Sequence, residues 1–153
     1  MDPANLDLPV LVSIVGQTVD RHVLSAVRHV HPGIRASHGY VFQRLLQGPS
    51  TVTEIARDLR VSQQAVSKLV KELVALGFVV RIPDPHDKRV RRLELTNDGR
   101  DAVDLARRVR AELAASVAAH LDVPAARAVL VALLEAAGGL DAVREASVPL
   151  PEP

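Results

Sequence analysis

Hydrophobic residues recur at helical spacing along the first part of the chain. Between Leu8 and Val30, apolar side chains return every three or four positions, which predicts a long helix. The Pro32-Gly33 pair ends that pattern. A shorter helix is predicted over 37–46, and Gly48-Pro49 stops it. The polar residues of the first helix do not surround it evenly, so we expect this helix to pack on two sides.

The last part of the chain follows the same spacing. Thr96 is a good N-cap residue, and the apolar pattern behind it predicts a long helix over about 97–120. Val123-Pro124 restarts the chain, and another helix is predicted over about 125–136. The sequence leaves room for a further short helix after Gly138-Gly139. The protein is therefore predicted to be mainly α-helical.

Two short helices follow each other closely in the middle of the chain. Thr51 and Glu54 fit the S/T-x-x-E capping box, in which each side chain bonds the other residue's backbone N–H. The helix that they open is predicted to run to about Arg60. After a tight break, Ser62 is a good N-cap for a second helix over 63–76.

The second of these helices has two distinct faces. At about 100° per residue, its apolar side chains share one face: Ala65, Val66, Leu69, Val70, Leu73 and Leu76. Its polar side chains gather on the other: Gln63, Gln64, Ser67, Lys68 and Lys71. Glutamine can pair with adenine, serine can bond base edges or phosphates, and lysine can reach phosphates or guanine. The alternative is a merely solvated surface, and the basic segment that follows favours the DNA-reading interpretation.

That basic segment is predicted to be a β-hairpin. Strands over 78–82 and 90–95 flank a loop that two prolines stiffen, and four of the five residues from Lys88 to Arg92 are positively charged. A rigid basic hairpin tip can enter a minor groove. Helix, break, helix and hairpin is the order of a winged helix-turn-helix. The predicted fold is therefore mainly α with a small β-hairpin wing.

Composition narrows the function further. The chain has no cysteine, which excludes disulfides, thiol catalysis, thiol redox sensing and thiolate metal sites. It has only three aromatic residues, which disfavours stacking on bases. No catalytic triad order, glycine-rich phosphate loop or metal-ligand spacing stands out, and the six histidines form no H-x-x-x-H pair. We therefore predict neither an enzyme nor a metal site.

Charge is unevenly distributed along the chain. The net charge is only +1, but residues 51–92 hold nine Lys/Arg against five Asp/Glu. The N-terminus is acidic and lacks the basic region of a signal peptide, and no apolar run reaches the ~18 residues of a membrane span. We therefore expect a cytoplasmic protein with no membrane partner.

The segment SKLVKELVALGFVVRIPDPHDKRVRRLELTNDG, residues 67–99, closely resembles the MarR (multiple antibiotic resistance regulator) family of transcription regulators. The shared pattern is L-x-x-x-G, a strand ending in arginine, a D-x-x-D-x-R wing, and L-x-L-T-x-x-G. Its positions are Leu73, Gly77, Arg81, Asp84, Asp87, Arg89, Leu93, Leu95, Thr96 and Gly99. TVTEIARDLRVSQQAVS is similar to the first two helices of the family's helix-turn-helix. The outer helices match in pattern only.

The resemblance implies an obligate homodimer that acts on a pseudo-palindromic operator, commonly as a repressor. The chain would be a single domain, 1–153, with a winged helix-turn-helix lobe at 35–98. Dimerisation helices would lie at 6–31 and 99–146. The strongly apolar helices at both chain ends also suit dimerisation, because the small central motif cannot cover them fully.

The resemblance also implies roles for individual residues. Arg89 matches the wing-tip arginine that enters the minor groove, and Asp87 matches the acid that orients it. Ser37, Thr51 and Thr53 fall where family members contact phosphates, although each also suits a helix cap. The predicted DNA-binding residues are Ser37, Thr51, Thr53, Ser62, Gln63, Gln64, Ser67, Lys68, Lys71, Asp87, Lys88, Arg89 and Arg91. Arg91 and Arg92 face opposite ways, and the sequence does not decide which of them meets DNA.

Proteins similar to this one are commonly released from DNA by a small ligand, often an aromatic acid. Such a ligand lies between the dimer helices and the DNA-binding lobe. Four residues come from the two helices that would line this cleft: Arg21, His22, His38 and Tyr40. An anion would suit Arg21 or His38, but each of the four also fits a surface or interface role. We expect a small aromatic or anionic effector and no cofactor.

The competing interpretation is a winged-helix protein-interaction module that does not bind DNA. Both interpretations share the fold. The basic, Gln/Ser-rich face distinguishes them, because a pure scaffold does not require it.

Overall fold

The computed structural model describes residues 2–139 of the chain. A 3₁₀ turn at Pro3–Asn5 comes first. The elements that follow are α1 Leu8–Val30, α2 His38–Leu45, α3 Val52–Leu59, α4 Gln63–Ala75, β1 Val79–Pro83, β2 Arg91–Leu95, α5 Asn97–Ala118 and α6 Val123–Ala136. The short helix expected after Gly138-Gly139, and the end of the predicted dimerisation segment 99–146, lie outside the described residues. The mainly α fold with a two-stranded wing is confirmed.

Side-chain caps set where the central helices begin. The Thr51 hydroxyl accepts a hydrogen bond from the Glu54 N–H at 3.2 Å, and the Glu54 carboxylate accepts one from the Thr51 N–H at 2.7 Å. Ser62 accepts from Ala65 N–H at 3.1 Å. These bonds satisfy helix N–H groups that have no partner within the helix. The predicted starts of α3 and α4 are confirmed.

Two predicted boundaries shift for local reasons. Helix α6 begins at Val123 rather than near 125, because Asp122 caps it and Pro124 fits its first turn. Strand β1 extends to Pro83, which pairs with Arg91 at the end of the antiparallel register. A proline is tolerated there because it ends a strand in a two-stranded sheet.

The core lies where α2, α3 and α4 pack on the hairpin. Ile55, Val66, Leu73 and Leu93 are almost completely buried. Ser50 forms an isolated antiparallel bridge with Leu93, which ties the segment before α3 to β2. The wing is therefore attached to the helix-turn-helix by backbone hydrogen bonds as well as by packing.

The predicted buried face of α4 was too broad. Leu76 is 39% exposed, since α4 ends at Ala75 and the Leu76 side chain instead covers Gly33. In α1 only Val23 and Val27 are buried in the described chain. Both contribute to the core, and α1 packs against α5.

A large apolar surface remains uncovered in the described part of the chain. This surface involves both ends of the fold. Helix α6 turns away from α5 by 116° and has no buried residue. The most exposed of these side chains are Val15, Val30, Val117, Leu121, Leu130 and Val131. An uncovered surface of this kind is typical of an interface.

By length and composition alone, α1 could cross a membrane, with a mean hydropathy of 1.2 over 18 residues. Its Asp20 and Arg21 would be costly inside a bilayer. Because Val23 and Val27 pack in the core, α1 is better explained as part of this fold.

Candidate DNA-binding interface

Helix α4 presents the predicted polar face to solvent. Gln63, Gln64, Lys68 and Lys71 are exposed, and Ser67 is half-buried. The opposite face is held in the core by Val66, Leu69, Val70 and Leu73. The helix is thus fixed on one side and open on the other, as a helix that enters a major groove must be.

The starts of α3 and α4 add phosphate-binding chemistry. The hydroxyl oxygens of Thr51 and Ser62 accept hydrogen bonds from helix N–H groups, so each O–H can still donate to an outside acceptor. Thr53 is exposed in the first turn of α3. Helix N-termini favour anions, because their N–H groups and the helix dipole both point outward.

The wing loop is shaped by its two aspartates. One carboxylate oxygen of Asp84 accepts hydrogen bonds from the backbone N–H groups of His86 and Asp87, at 2.8 and 3.0 Å. Asp87 accepts one from the Arg89 N–H at 2.9 Å. The Arg91 guanidinium donates to the Lys88 carbonyl at 3.0 Å. The tip therefore has a defined backbone conformation and carries Lys88 and Arg89 at its end.

Asp87 acts on the backbone of the wing tip. Asp87 bonds the backbone N–H of Arg89, not its guanidinium. It therefore orients Arg89 through the peptide that bears the side chain. Within residues 2–139, neither Lys88 nor Arg89 forms an ion pair.

Arg92, by contrast, is engaged inside the protein. Its guanidinium donates to Asp84 at 2.5 Å and to the Pro49 carbonyl at 2.7 Å, and lies 3.5 Å from Glu54. The hydrogen bond from Arg92, followed by those from the His86 and Asp87 N–H groups, lowers the pKa of Asp84 to about 2. Of the two arginines that the sequence left undecided, Arg91 is the one exposed beside the wing tip.

Ion pairing leaves this surface more positive than the sequence suggests. Of the five acids in residues 51–92, four lie in ion pairs: Glu54 and Asp84 with Arg92, Asp58 with Arg44 and Arg57, and Glu72 with Arg35. Two of the partner cations, Arg35 and Arg44, come from outside the segment. The exposed lysines of α4 and the wing-tip cations are therefore left to set the local field.

Ser37 is less suited to DNA than the sequence predicted. It is only 8% exposed, and its side chain makes no cap hydrogen bond at the start of α2. A phosphate could reach its hydroxyl only if the surrounding chain moved.

A cavity of about 280 Å³ opens between α1, α2 and α5. Its walls are mainly apolar, with Val23, Val27, Phe42 and Val103 among them. Polar groups are contributed by Asp20, Arg35, Tyr40, Gln43 and Arg110. An apolar cleft with a few polar groups is typical of a small-molecule site.

Of the four predicted ligand residues, Tyr40 lines this cavity, and Arg21, His22 and His38 do not. His38 is completely buried beside it. Its Nδ1 accepts a hydrogen bond from the Arg35 N–H at 3.2 Å, and its Nε2 donates to Glu72 at 3.1 Å. Burial, with Arg35 and Arg28 nearby, lowers the pKa of His38 to about 4. A neutral imidazole whose two nitrogens both form hydrogen bonds does not suit an anion. The expectation that His38 would bind an anionic ligand is therefore corrected.

Arg35 and Arg110 are the cavity cations that sequence reasoning missed. The sequence could have indicated Arg110, because Ala102, Ala106 and Arg110 follow each other at four-residue spacing on one face of α5. The two alanines leave space that the arginine can reach. No sequence pattern could have indicated Arg35, because it lies in the irregular segment between α1 and α2.

The capped helix pair, the exposed face of α4 and the basic hairpin together have the architecture of a winged helix-turn-helix protein. The MarR family model matches residues 33–90. The match confirms, for this segment, the resemblance drawn from the sequence; the segment holds α2, α3, α4 and the first strand and loop of the wing.

Solved structures agree with this fold. A mutant of S. aureus MepR bound to an oligodeoxyribonucleotide is 18% identical, with a TM-score of 0.65 over 88% of this chain and 98% of that one. RV1404 from Mycobacterium tuberculosis is 25% identical, with a TM-score of 0.64 over 86% and 92%. S. aureus MepR bound to ethidium bromide is 17% identical, with a TM-score of 0.65 over 88% and 97%. No curated protein matches the chain with significant sequence similarity.

Proposed function

We propose that this protein is a homodimeric, sequence-specific DNA-binding transcription regulator, acting in the cytoplasm as a repressor rather than as an enzyme. The observation that carries the proposal is that, in residues 51–92, most acidic side chains are paired and most of the basic ones are exposed. Four of the five acids are held in ion pairs, while the cations of α4 and the wing tip stay exposed on an ordered scaffold. A surface of this kind fits the phosphate backbone and grooves of duplex DNA.

Each part of the surface has a proposed task. Gln63, Gln64 and Ser67 read base edges, and Lys68 and Lys71 contact phosphates or guanine. Thr51, Thr53 and Ser62 bind phosphates at the helix starts. Arg89 enters the minor groove, with Lys88 and Arg91 on the neighbouring backbone and Asp87 shaping the tip.

Dimerisation is supported by the uncovered apolar side chains of α1, α5 and α6. The helices 6–31 and 99–146 would bury this surface against a second copy, and the lobe 35–98 would project from each subunit. Two recognition helices would then meet half-sites about one turn, roughly 10 bp, apart.

The cavity beside α2 supports regulation by a small ligand. Its apolar walls would hold an aromatic body, with Tyr40 at its edge, and Arg35 or Arg110 would pair with an anionic group. Among the solved structures of this fold, one S. aureus MepR structure holds ethidium bromide. A thermal-shift screen of small aromatic acids tests this part, and a ligand that stabilises the protein and also releases DNA would support it.

The DNA-binding proposal is tested by a gel shift on the promoter DNA beside the protein's own gene. We expect binding that depends on sequence and weakens steeply with salt. If the protein shows neither property on that DNA or on a randomised duplex library, the proposal is wrong and a protein-interaction module becomes the better interpretation.

The wing is tested by Arg89→Ala. We expect on the order of tenfold weaker binding, because a groove contact is lost while the fold stays intact. The matched control is Arg107→Ala, which removes another exposed arginine, on α5, whose ion-pair partner among the described residues is Asp104. Equal affinities for Arg89→Ala and the control would remove the wing tip from the mechanism.

A further inference from the structure

Arg92 joins three separate segments through one guanidinium group. Its Nε donates to Asp84 in the wing loop, its Nη1 donates to the carbonyl of Pro49, and its Nη2 faces Glu54 of α3. Pro49 lies 43 residues before Arg92 in the sequence. These contacts therefore fix parts of the fold that are distant along the chain.

Each acceptor is itself part of an ordered element. One oxygen of Asp84 holds the backbone of the wing loop, while its other oxygen receives Arg92. One oxygen of Glu54 closes the capping box of α3, while its other oxygen faces Arg92. Arg92 thus connects the wing loop to the start of α3 by a single rigid group.

From this geometry we infer that Arg92 is a positioning residue for DNA binding, which holds the wing at a fixed distance and angle from the helix-turn-helix and does not itself bind DNA. The inference rests on the proposed DNA-binding function. It adds a residue that lies outside the predicted contact set, and it explains how Arg89 and the phosphate-binding start of α3 can engage one duplex together.

A rigid connection is needed because the hairpin is small. Strands β1 and β2 have five residues each, and an isolated two-stranded hairpin is only marginally stable. The bridge between Ser50 and Leu93 holds the base of the wing, and Arg92 holds the loop beyond it. A planar guanidinium can serve several acceptors in fixed directions, whereas a lysine ammonium on a flexible stem cannot.

The rival explanation is that Arg92 binds a phosphate directly. The two explanations predict opposite signs for Asp84→Asn. This variant keeps an oxygen for the loop N–H groups but removes the charge that holds Arg92. If Arg92 bound phosphate, losing the nearby negative charge would strengthen DNA binding. If Arg92 positions the wing, the same change weakens it.

The experiment uses a duplex that the full-length wild-type chain selects from a randomised library. Binding is measured for Arg92→Met, Arg92→Lys and Asp84→Asn, and thermal unfolding checks each fold. The matched control is Arg100→Met, because Arg100 pairs with one residue of β2, Glu94, and does not reach the wing loop. We expect all three test variants to bind on the order of tenfold more weakly, and the control to stay within about twofold.

A double variant checks that Arg92 acts through the wing. Arg92→Met should cost much less affinity in an Arg89→Ala background, because the contact that it positions is already gone. Hydrogen exchange of the free protein adds a readout without DNA. The amides of His86, Asp87 and Arg89 should exchange faster in Arg92→Met.

The possible failures are distinct. If the wild type selects no duplex, the proposed function fails and the inference falls with it. If the wild type binds but Asp84→Asn binds equally well or more tightly, or Arg92→Lys keeps full affinity, the positioning role alone is overturned. Additive losses in the double variant would overturn it as well.

Discussion

Replacing Gly99 with alanine should destabilise the whole fold, although the change adds only a methyl group. Gly99 is buried in the first turn of α5. A Cβ there would lie 2.2 Å from the Phe78 carbonyl oxygen and 3.2 Å from a Leu95 methyl. Ordinary carbon–oxygen contacts are about 3.3 Å or longer. The obstacle is backbone, so no side chain can rotate away to relieve the clash.

The cost can be estimated from these contacts. Relieving an overpacked site costs about 1–3 kcal/mol or more. The Phe78 carbonyl also accepts the Thr96 N–H at 3.1 Å, and losing that bond adds about 1 kcal/mol. Alanine returns about 1 kcal/mol through its better helix propensity. We therefore expect a net loss of about 1–3 kcal/mol, which corresponds to a Tm lower by about 2–12 °C.

Thermal and urea unfolding at one fixed protein concentration measure this loss, since dimerisation would make stability depend on concentration. The matched control is Gly39→Ala in α2, where a Cβ would meet no atom within 4 Å. Gly39→Ala should be neutral or stabilising by up to about 1 kcal/mol. If Gly99→Ala unfolds within about 0.5 kcal/mol of the wild type, close backbone approach is not the reason for glycine at this position.

Two further predictions concern strain and pH. Arg60 has a positive φ of 55° in the turn between α3 and α4, a conformation that glycine adopts more easily than arginine. Arg60→Gly should therefore stabilise the protein by about 0.5–1 kcal/mol, measured by urea unfolding. A loss of stability would mean that the contacts of the arginine side chain outweigh the backbone strain. The folded-state pKa of His38 is about 4, below its ordinary value of 6.5, so its contribution to stability is complete above about pH 6.5 and is lost as pH falls toward 4. Tm should therefore fall as the pH is lowered from 7 to 5, and it should fall less in His38→Gln. An equal decrease of Tm with pH in both proteins would contradict this contribution of His38 to stability.

Local signals made most of the fold predictable. The capping box of Thr51 and Glu54 and the N-cap at Ser62 are decided by residues three or fewer positions away, so the sequence alone locates both helix starts. The polar face of α4 follows from helical period, and the structure exposes it as expected. The family pattern pointed to Gly99, and only the structure gives the reason, which is the carbonyl of Phe78.

Long-range contacts made the rest unpredictable. Strand alternation separated Arg91 from Arg92, but the partners of Arg92 lie 8, 38 and 43 residues away. His38 looked like an anion ligand until its burial and its two hydrogen bonds were seen. The spacing of apolar residues predicts which face of a helix or strand a side chain lies on. The roles of Arg92 and His38 depend instead on which residues pack against that face.

The same distinction explains how a chain with a net charge of +1 can present a basic surface. Coulomb interactions at a binding face depend on which charges are already neutralised at close range, not on the sum over the sequence. Here Glu54 and Asp84 hold Arg92, and Glu72 is held by Arg35 from outside the segment. Each pairing removes an acid from the field of α4 and the wing while it also strengthens the scaffold. Net charge is therefore a poor guide to the charge of this surface, and the arrangement of the ion pairs is the better one.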